Sequence, residues 1–211
     1  MFEGRAAIVS GAAHGVGLEL ADALEKAGAK VLRFDGTSRE DIEAAVADVL
    51  ARWGRVDILI NAASHRRRTP ITSTWAEAVA DWDAVVDASL LTTIMLSRLC
   101  VREMQSRGGG DIINVTSLDV LPVAEQATNL PDLDLYNASC WALNGLTDAW
   151  SKSLAGANIR VNGLCVDRDN YRGVGELLIE LMEDGRSGEN IRAVEPYKLP
   201  DRAAPHRRIT G

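Results

Sequence analysis

Cysteine is scarce in this chain. There are three in 211 residues, Cys100, Cys140 and Cys165, odd in number and far apart. They form neither a metal-ligand spacing nor a disulfide framework, so no metal site is expected and a reduced, cytoplasmic setting is. Long apolar runs are also missing. None approaches the roughly eighteen residues that mark a bilayer span, so no membrane span is expected. The first residues, Met1 to Arg5, lead straight into a strand pattern, which argues against a signal peptide. Positive charge is in deficit, with 23 Lys and Arg against 30 Asp and Glu, a net charge of −7. That balance argues against a general binder of nucleic acid or of anionic membranes. Repeats and low-complexity tracts are absent.

What is present is an ordinary globular composition, 46% hydrophobic and 25% charged, in a length that suits one core. Apolar strand patterns alternate with helical ones. Strands are expected at Ala6–Ser10, Lys30–Phe34, Val56–Ile60, Asp111–Thr116, Ile159–Cys165 and Asn190–Val194. Helices are expected at Val16–Ala27, Ser38–Trp53, Thr74–Arg107 (one piece or two), Leu135–Ala155 and Gly175–Asp184. Ser38 reads as an N-cap, with Asp41 in the capping-box position. Such alternation implies a parallel sheet covered on both faces. One domain is expected over residues 1–195, with an irregular tail over 196–211.

The segment Ser10-Gly11-Ala12-Ala13-His14-Gly15-Val16-Gly17 joins the first strand to the first helix. Glycine allows a sharp turn and close approach of backbone to a pyrophosphate. The helix N-terminus adds free N–H groups and a partial positive charge. Gly11, Ala13, His14, Gly15, Val16 and Gly17 are therefore the expected dinucleotide-binding residues. Asp35 closes the second strand. A carboxylate there can accept both ribose hydroxyls of NAD and repel a 2′-phosphate, or it can simply cap a turn. Arg33, two residues earlier, pulls the other way. The balance favours NAD(H) over NADP(H).

These motifs, taken with four others, resemble the short-chain dehydrogenase/reductase family. The turn is similar to its TGxxxGxG signature, with Ser10 for threonine. Ile60-Asn61-Ala62-Ala63 resembles its NNAG element and adds Asn61, Ala62 and Ala63 to the expected cofactor contacts. Asp111–Ser117 resembles the strand that ends in the catalytic serine, here Ser117. Tyr136-Asn137-Ala138-Ser139 resembles YxxSK, which makes Tyr136 the catalytic tyrosine. Ile159-Arg160-Val161-Asn162 resembles the IRVN strand. The resemblance spans about residues 5–165. It implies a single Rossmann-type, doubly wound parallel sheet, and hydride transfer between a nicotinamide cofactor and an alcohol or carbonyl substrate.

Four departures from the family pattern stand out. The αβ unit that usually follows the second strand is missing, which removes a sheet edge and a wall of the adenine pocket. Cys140 stands where the family has lysine. Tyrosine has a pKa near ~10, so about one part in a thousand is ionised at pH 7, and the lysine ammonium normally favours that form. Ser89 occupies the place of an asparagine that anchors a relay water. The substrate lid after the sixth family strand is replaced by 166–172. Loss of the cation should harm alcohol oxidation more than carbonyl reduction, because neutral tyrosine is already an acid.

Arg66, Arg67 and Arg68 follow the Asn61 element, as a clamp for an anionic small-molecule substrate or as a solvated loop. The helices Trp82–Arg107 and Leu135–Ala155, with Trp141 and Trp150, are expected to build an oligomer. Three functions compete: an oxidoreductase with an impaired relay, a catalytically silent partner subunit of an active homologue, and a redox-neutral enzyme reusing Ser117 and Tyr136.

Overall fold

The computed structural model describes residues 2–120, 131–167, 169–194 and 197–200. Six parallel strands form one sheet in the order β2-β1-β3-β4-β5-β6. They are β1 (Ala6–Ser10), β2 (Lys30–Phe34), β3 (Ile58–Asn61), β4 (Gly110–Ser117), β5 (Ile159–Val166) and β6 (Asn190–Ala193). The helices are α1 (Gly15–Lys26), α2 (Arg39–Trp53), α3 (Trp75–Trp82), α4 (Thr92–Arg107), α5 (Asp134–Leu154) and α6 (Val174–Asp184). Each expected element is found, with ends shifted by a residue or two. Of the expected tail, only 197–200 fall within the described residues.

Local chemistry sets the ends of these elements. The Ser38 hydroxyl accepts from the Asp41 N–H and starts α2. Thr74 and Glu77 form a reciprocal capping box that starts α3. Gly54 and Gly108 end α2 and α4 in the left-handed region, where glycine carries no Cβ penalty. The central strands are apolar on both faces because helices cover both. Val9, Ile60, Val115 and Leu164 pack under α1 and α6. Ile8, Leu59, Ile112 and Val161 pack under α2 and α4.

The missing αβ unit costs the sheet little, because it would have lain outside β2. That strand pairs with β1 along one side only. The chain runs from β1 to β2 in one direction and from β1's other neighbour β3 onward in the opposite one. The strand order therefore reverses between β1 and β3. A crevice opens there above the carboxyl ends of the strands.

Between α3 and α4 lies a π-helical segment, Asp83–Leu91. The three pieces make one rod, Trp75–Arg107, long and apolar enough by composition to cross a membrane. It contains no unbroken run of eighteen apolar residues, so it meets that test on helix length and mean hydropathy alone. In the fold α4 packs its Leu96, Cys100 and Met104 face into the core.

Candidate active site

The switch-point crevice is built by the glycine turn at the end of β1 and by Asn61-Ala62-Ala63 at the end of β3. Gly11 (φ +68°) brings its α-carbon so close to the second segment that a Cβ would lie 2.6 Å from the Ala63 nitrogen. At Gly17 a Cβ would meet the Gly11 carbonyl oxygen at 2.1 Å, so α1 can seat on the turn only with glycine there. Gly15 differs. It has φ +63°, and a Cβ would meet nothing within 4 Å. Its α-carbon faces open space, with Ala13 and His14 exposed beside it. The His14 side chain makes no capping bond, so no capping side chain covers the first N–H groups of α1. Tight backbone on two sides and open space on the third fit a pyrophosphate cradle.

Ser10, read from sequence only as a stand-in for threonine, holds the crevice together. Its hydroxyl accepts from the Ala62 and Ala63 N–H groups at 3.2 and 3.3 Å. Asn61 itself points away. Its amide donates to Ser97 Oγ at 3.1 Å and to Asn114 Oδ1 at 2.9 Å inside the core. Asn61 thus braces β3, β4 and α4, and only its backbone and the two alanines border the crevice. Asp35 is exposed at the rim of β2. Arg33 is bound by Asp22 (2.6 Å) and Glu25 (2.8 Å) of α1. Those hydrogen bonds raise its pKa and hold it off the rim.

The expected catalytic residues are turned inward. Tyr136 is 1% exposed, packed with Val85, Val120 and Cys140 under Leu133 and Leu135. Ser117, at the end of β4, donates to the Asp119 carboxylate at 3.0 Å and accepts the Asp119 N–H at 3.2 Å. Asp119 was not read from sequence, although a serine two residues before an aspartate is a local turn signal. Ser89 lies in the π segment, where its hydroxyl donates back to the Val85 carbonyl, as a buried helical serine commonly does. Cys140 is buried one helical turn after Tyr136. Burial pushes the Cys165 thiol up to about 12, so it is neutral at pH 7. None of the three cysteines is in a disulfide, and among the described residues no cluster of metal-ligating side chains exists.

The arginine loop closes on itself. Arg67 pairs with the buried Asp81 at 3.0 Å, and Arg68 pairs with Asp132 at 2.8 Å. Two of the three cations expected to clamp an anion are thus neutralised. Thr69 is tied to Asp134 by its hydroxyl, fastening the loop to the start of α5. Above this joint an open apolar groove runs along α3, where Ile71 and Trp75 are 91% and 84% exposed. Trp141 on α5 is partly exposed, whereas Trp150 packs against the core.

A model of the short chain dehydrogenase family matches residues 31–167. The chain belongs to that family. Its relatives carry oxidoreductase names. An alignment of 189 positions gives 29% identity to a 2-dehydro-3-deoxy-D-gluconate 5-dehydrogenase of Formosa agariphila, covering 77% of this chain and 68% of that protein. A 3-oxoacyl-[acyl-carrier-protein] reductase of Thermotoga maritima is 29% identical over 77% of this chain and 73% of its own length. Dehydrogenase/reductase SDR family member 4 of Bos taurus is 30% identical over 93% of this chain and 75% of its own length. Among solved structures, a short-chain dehydrogenase/reductase from Serratia marcescens superposes with a TM-score of 0.78 at 21% identity, covering 90% of this chain and 96% of that one. The fold is that of the family, and the family implies a nicotinamide cofactor.

Proposed function

We propose that this short-chain dehydrogenase binds NAD(H) and works poorly as an alcohol oxidant because its proton relay is altered. The observation that carries the reading is the cradle at Gly15, open where Gly11 and Gly17 are tightly enclosed. Gly11, Ala13, His14, Gly15, Val16 and Gly17 would hold the pyrophosphate, with Ala62 and Ala63 beside it. Asp35 would take the ribose hydroxyls, and Arg33, held by two carboxylates, is not free to take a 2′-phosphate. The bound dinucleotide supplies a hydride or accepts one.

The chain's own part is the proton. Neutral Tyr136 can give its proton to a carbonyl oxygen that Ser117 orients. Oxidation needs the phenolate, and Cys140 brings no cation to favour it. Reduction of a small carbonyl substrate is the favoured direction. A reduced cytoplasmic setting fits three cysteines that form no disulfide. An oligomer resting on the Trp82–Arg107 rod and α5 fits the exposed Trp82 and Trp141. Calorimetric titration with NAD, NADH, NADP and NADPH tests the reading. The expected result is tighter binding of the NAD pair, and no heat from any of the four would sink it.

The burial of Tyr136 supports a second reading, a silent subunit that binds cofactor and pairs with an active homologue. Its signature would be saturable NAD(H) binding with no turnover across a panel of alcohols and ketones, together with a larger mass by light scattering when such a homologue is added.

A further inference from the structure

Beneath Tyr136, between α4, α5 and one face of the sheet, polar side chains stack in layers. In the lower layer Asn61 donates to Ser97 and Asn114, and Asn114 donates to Thr147 at 2.9 Å. The layer above holds Thr116, Asn144 and Thr93. Three offsets agree on that placement. Thr93 stands four helical residues before Ser97, and Asn144 three before Thr147, about 4.5–6 Å along helices that both run against the strands. Thr116 stands two strand residues beyond Asn114, about 6.6 Å in the same sense. One bond ties two of its members, Thr116 Oγ1 donating to Asn144 Oδ1 at 3.2 Å, and the helical offset puts Thr93 beside them.

Three buried atoms in these layers have no partner among the described residues: Asn61 Oδ1, Thr93 Oγ1 and Asn144 Nδ2. They are complementary. Asn61 Oδ1 can only accept, Asn144 Nδ2 can only donate, and the Thr93 hydroxyl can do either. They come from β3, α4 and α5, the three walls of one column. Buried polar atoms in this number are rarely left unmade, and a site with three such partners meets what a buried water requires.

We propose that a structural water is held between Asn61 Oδ1, Thr93 Oγ1 and Asn144 Nδ2, two helical turns below Tyr136. It accepts from Asn144, donates to Asn61 and exchanges one hydrogen bond with Thr93. The polar ladder then runs unbroken from Ser97 to Thr116. It fixes the helix faces that carry Ser89 on one side and Cys140 and Tyr136 on the other.

The sign of one substitution separates a wet site from a dry one. Thr93→Val keeps the shape and removes the hydroxyl. With the water bound, the variant loses stability and its urea midpoint falls. In a dry site the same change deletes an unsatisfied group and the midpoint rises, which overturns the proposal. Thr93→Val combined with Asn144→Leu should cost less than the sum of the two single changes, because they share one water. Thr93→Ser should keep the coupling. Strictly additive costs would also count against the site. Should Asn144→Leu fail to fold, the native protein still decides. Nuclear Overhauser transfer from a long-lived water to the Asn144 side-chain amide supports the site, and its absence in a well-resolved spectrum refutes it.

Discussion

The two ends of the switch-point crevice have been treated differently in this molecule. At the β1 end the turn is tight where backbone must meet backbone and open at Gly15 where a ligand would lie. At the β4 end Ser117 is bonded to Asp119, Ser89 to its own helix, and Tyr136 is packed under Val85 and Val120. On the proposed reading, a binding geometry and a reaction geometry thus separate on one scaffold. The first depends on glycines at three positions. The second depends on side chains gathered from three distant segments, so it can be lost by small changes that leave the sheet intact.

The comparison breaks most sharply at Gly17. Gly17→Ala puts a methyl group at 2.1 Å from a carbonyl oxygen. The expected cost is about 3 kcal/mol of stability, at the upper end for overpacking, with loss of all dinucleotide heat. Gly15→Ala, with φ +63° but free space, should cost only about 1–2 kcal/mol and still weaken dinucleotide binding. Urea melts and calorimetry on the pair read both. Equal destabilisation by the two changes would mean that the turn is not divided as described.

At the other end, Cys140→Lys should raise secondary-alcohol oxidation by about tenfold for each pKa unit taken off Tyr136, and Tyr136→Phe on top should abolish the gain. The gain should be smaller for ketone reduction and should shrink as pH rises. If the variant binds NAD yet oxidises nothing even at high pH, burial of Tyr136 rather than the missing charge silences the centre.

A smaller effect concerns alkaline stability. Burial raises Cys100 and Cys165 from 9.0 to about 12 in the folded chain. Their protonated forms favour the fold, a contribution fully present below about pH 9 and lost progressively as pH rises toward 12. At about pH 10 each thiol should already have cost the fold on the order of 1 kcal/mol relative to neutral pH. Cys100→Val with Cys165→Val should flatten the fall in urea midpoint between about pH 8 and 10. A parallel fall in both proteins would show that other groups govern the alkaline limb. Smallest of all, Asp119→Ala should free the Ser117 hydroxyl at a cost of about 1 kcal/mol. Ketone reduction should then improve modestly if that hydroxyl is what the substrate lacks, and initial rates with NADH would show it.

The backbone half of this molecule was legible in its sequence and the side-chain half much less so. Glycine spacing, strand alternation and the Ser38 cap are local requirements that the chain states where it needs them. The sheet order also followed, because the missing unit would have been an edge. The fate of Arg67 and Arg68 was not legible, since their partners Asp81 and Asp132 arrive from other segments. Nor was the covering of Tyr136, which takes Val85 from the π segment and Val120 from beyond β4. Asn61 was read toward the cofactor because its neighbours border the crevice, and nothing local tells that its amide belongs to the core.

The π segment has a consequence of its own. α3 turns Trp75, Val79 and Trp82 outward and buries only Asp81, while α4 turns Thr93, Leu96, Cys100 and Met104 inward. The two apolar stripes are out of phase, and the wider turns of Asp83–Leu91 take up the slip. Were that segment to close as ordinary α-helix with its length unchanged, each of its residues would turn by about 100° instead of the smaller π step, and α3 would rotate against α4. The rod is a dial whose setting is held by those wider turns, and the two exposed tryptophans stand one notch from a different neighbour.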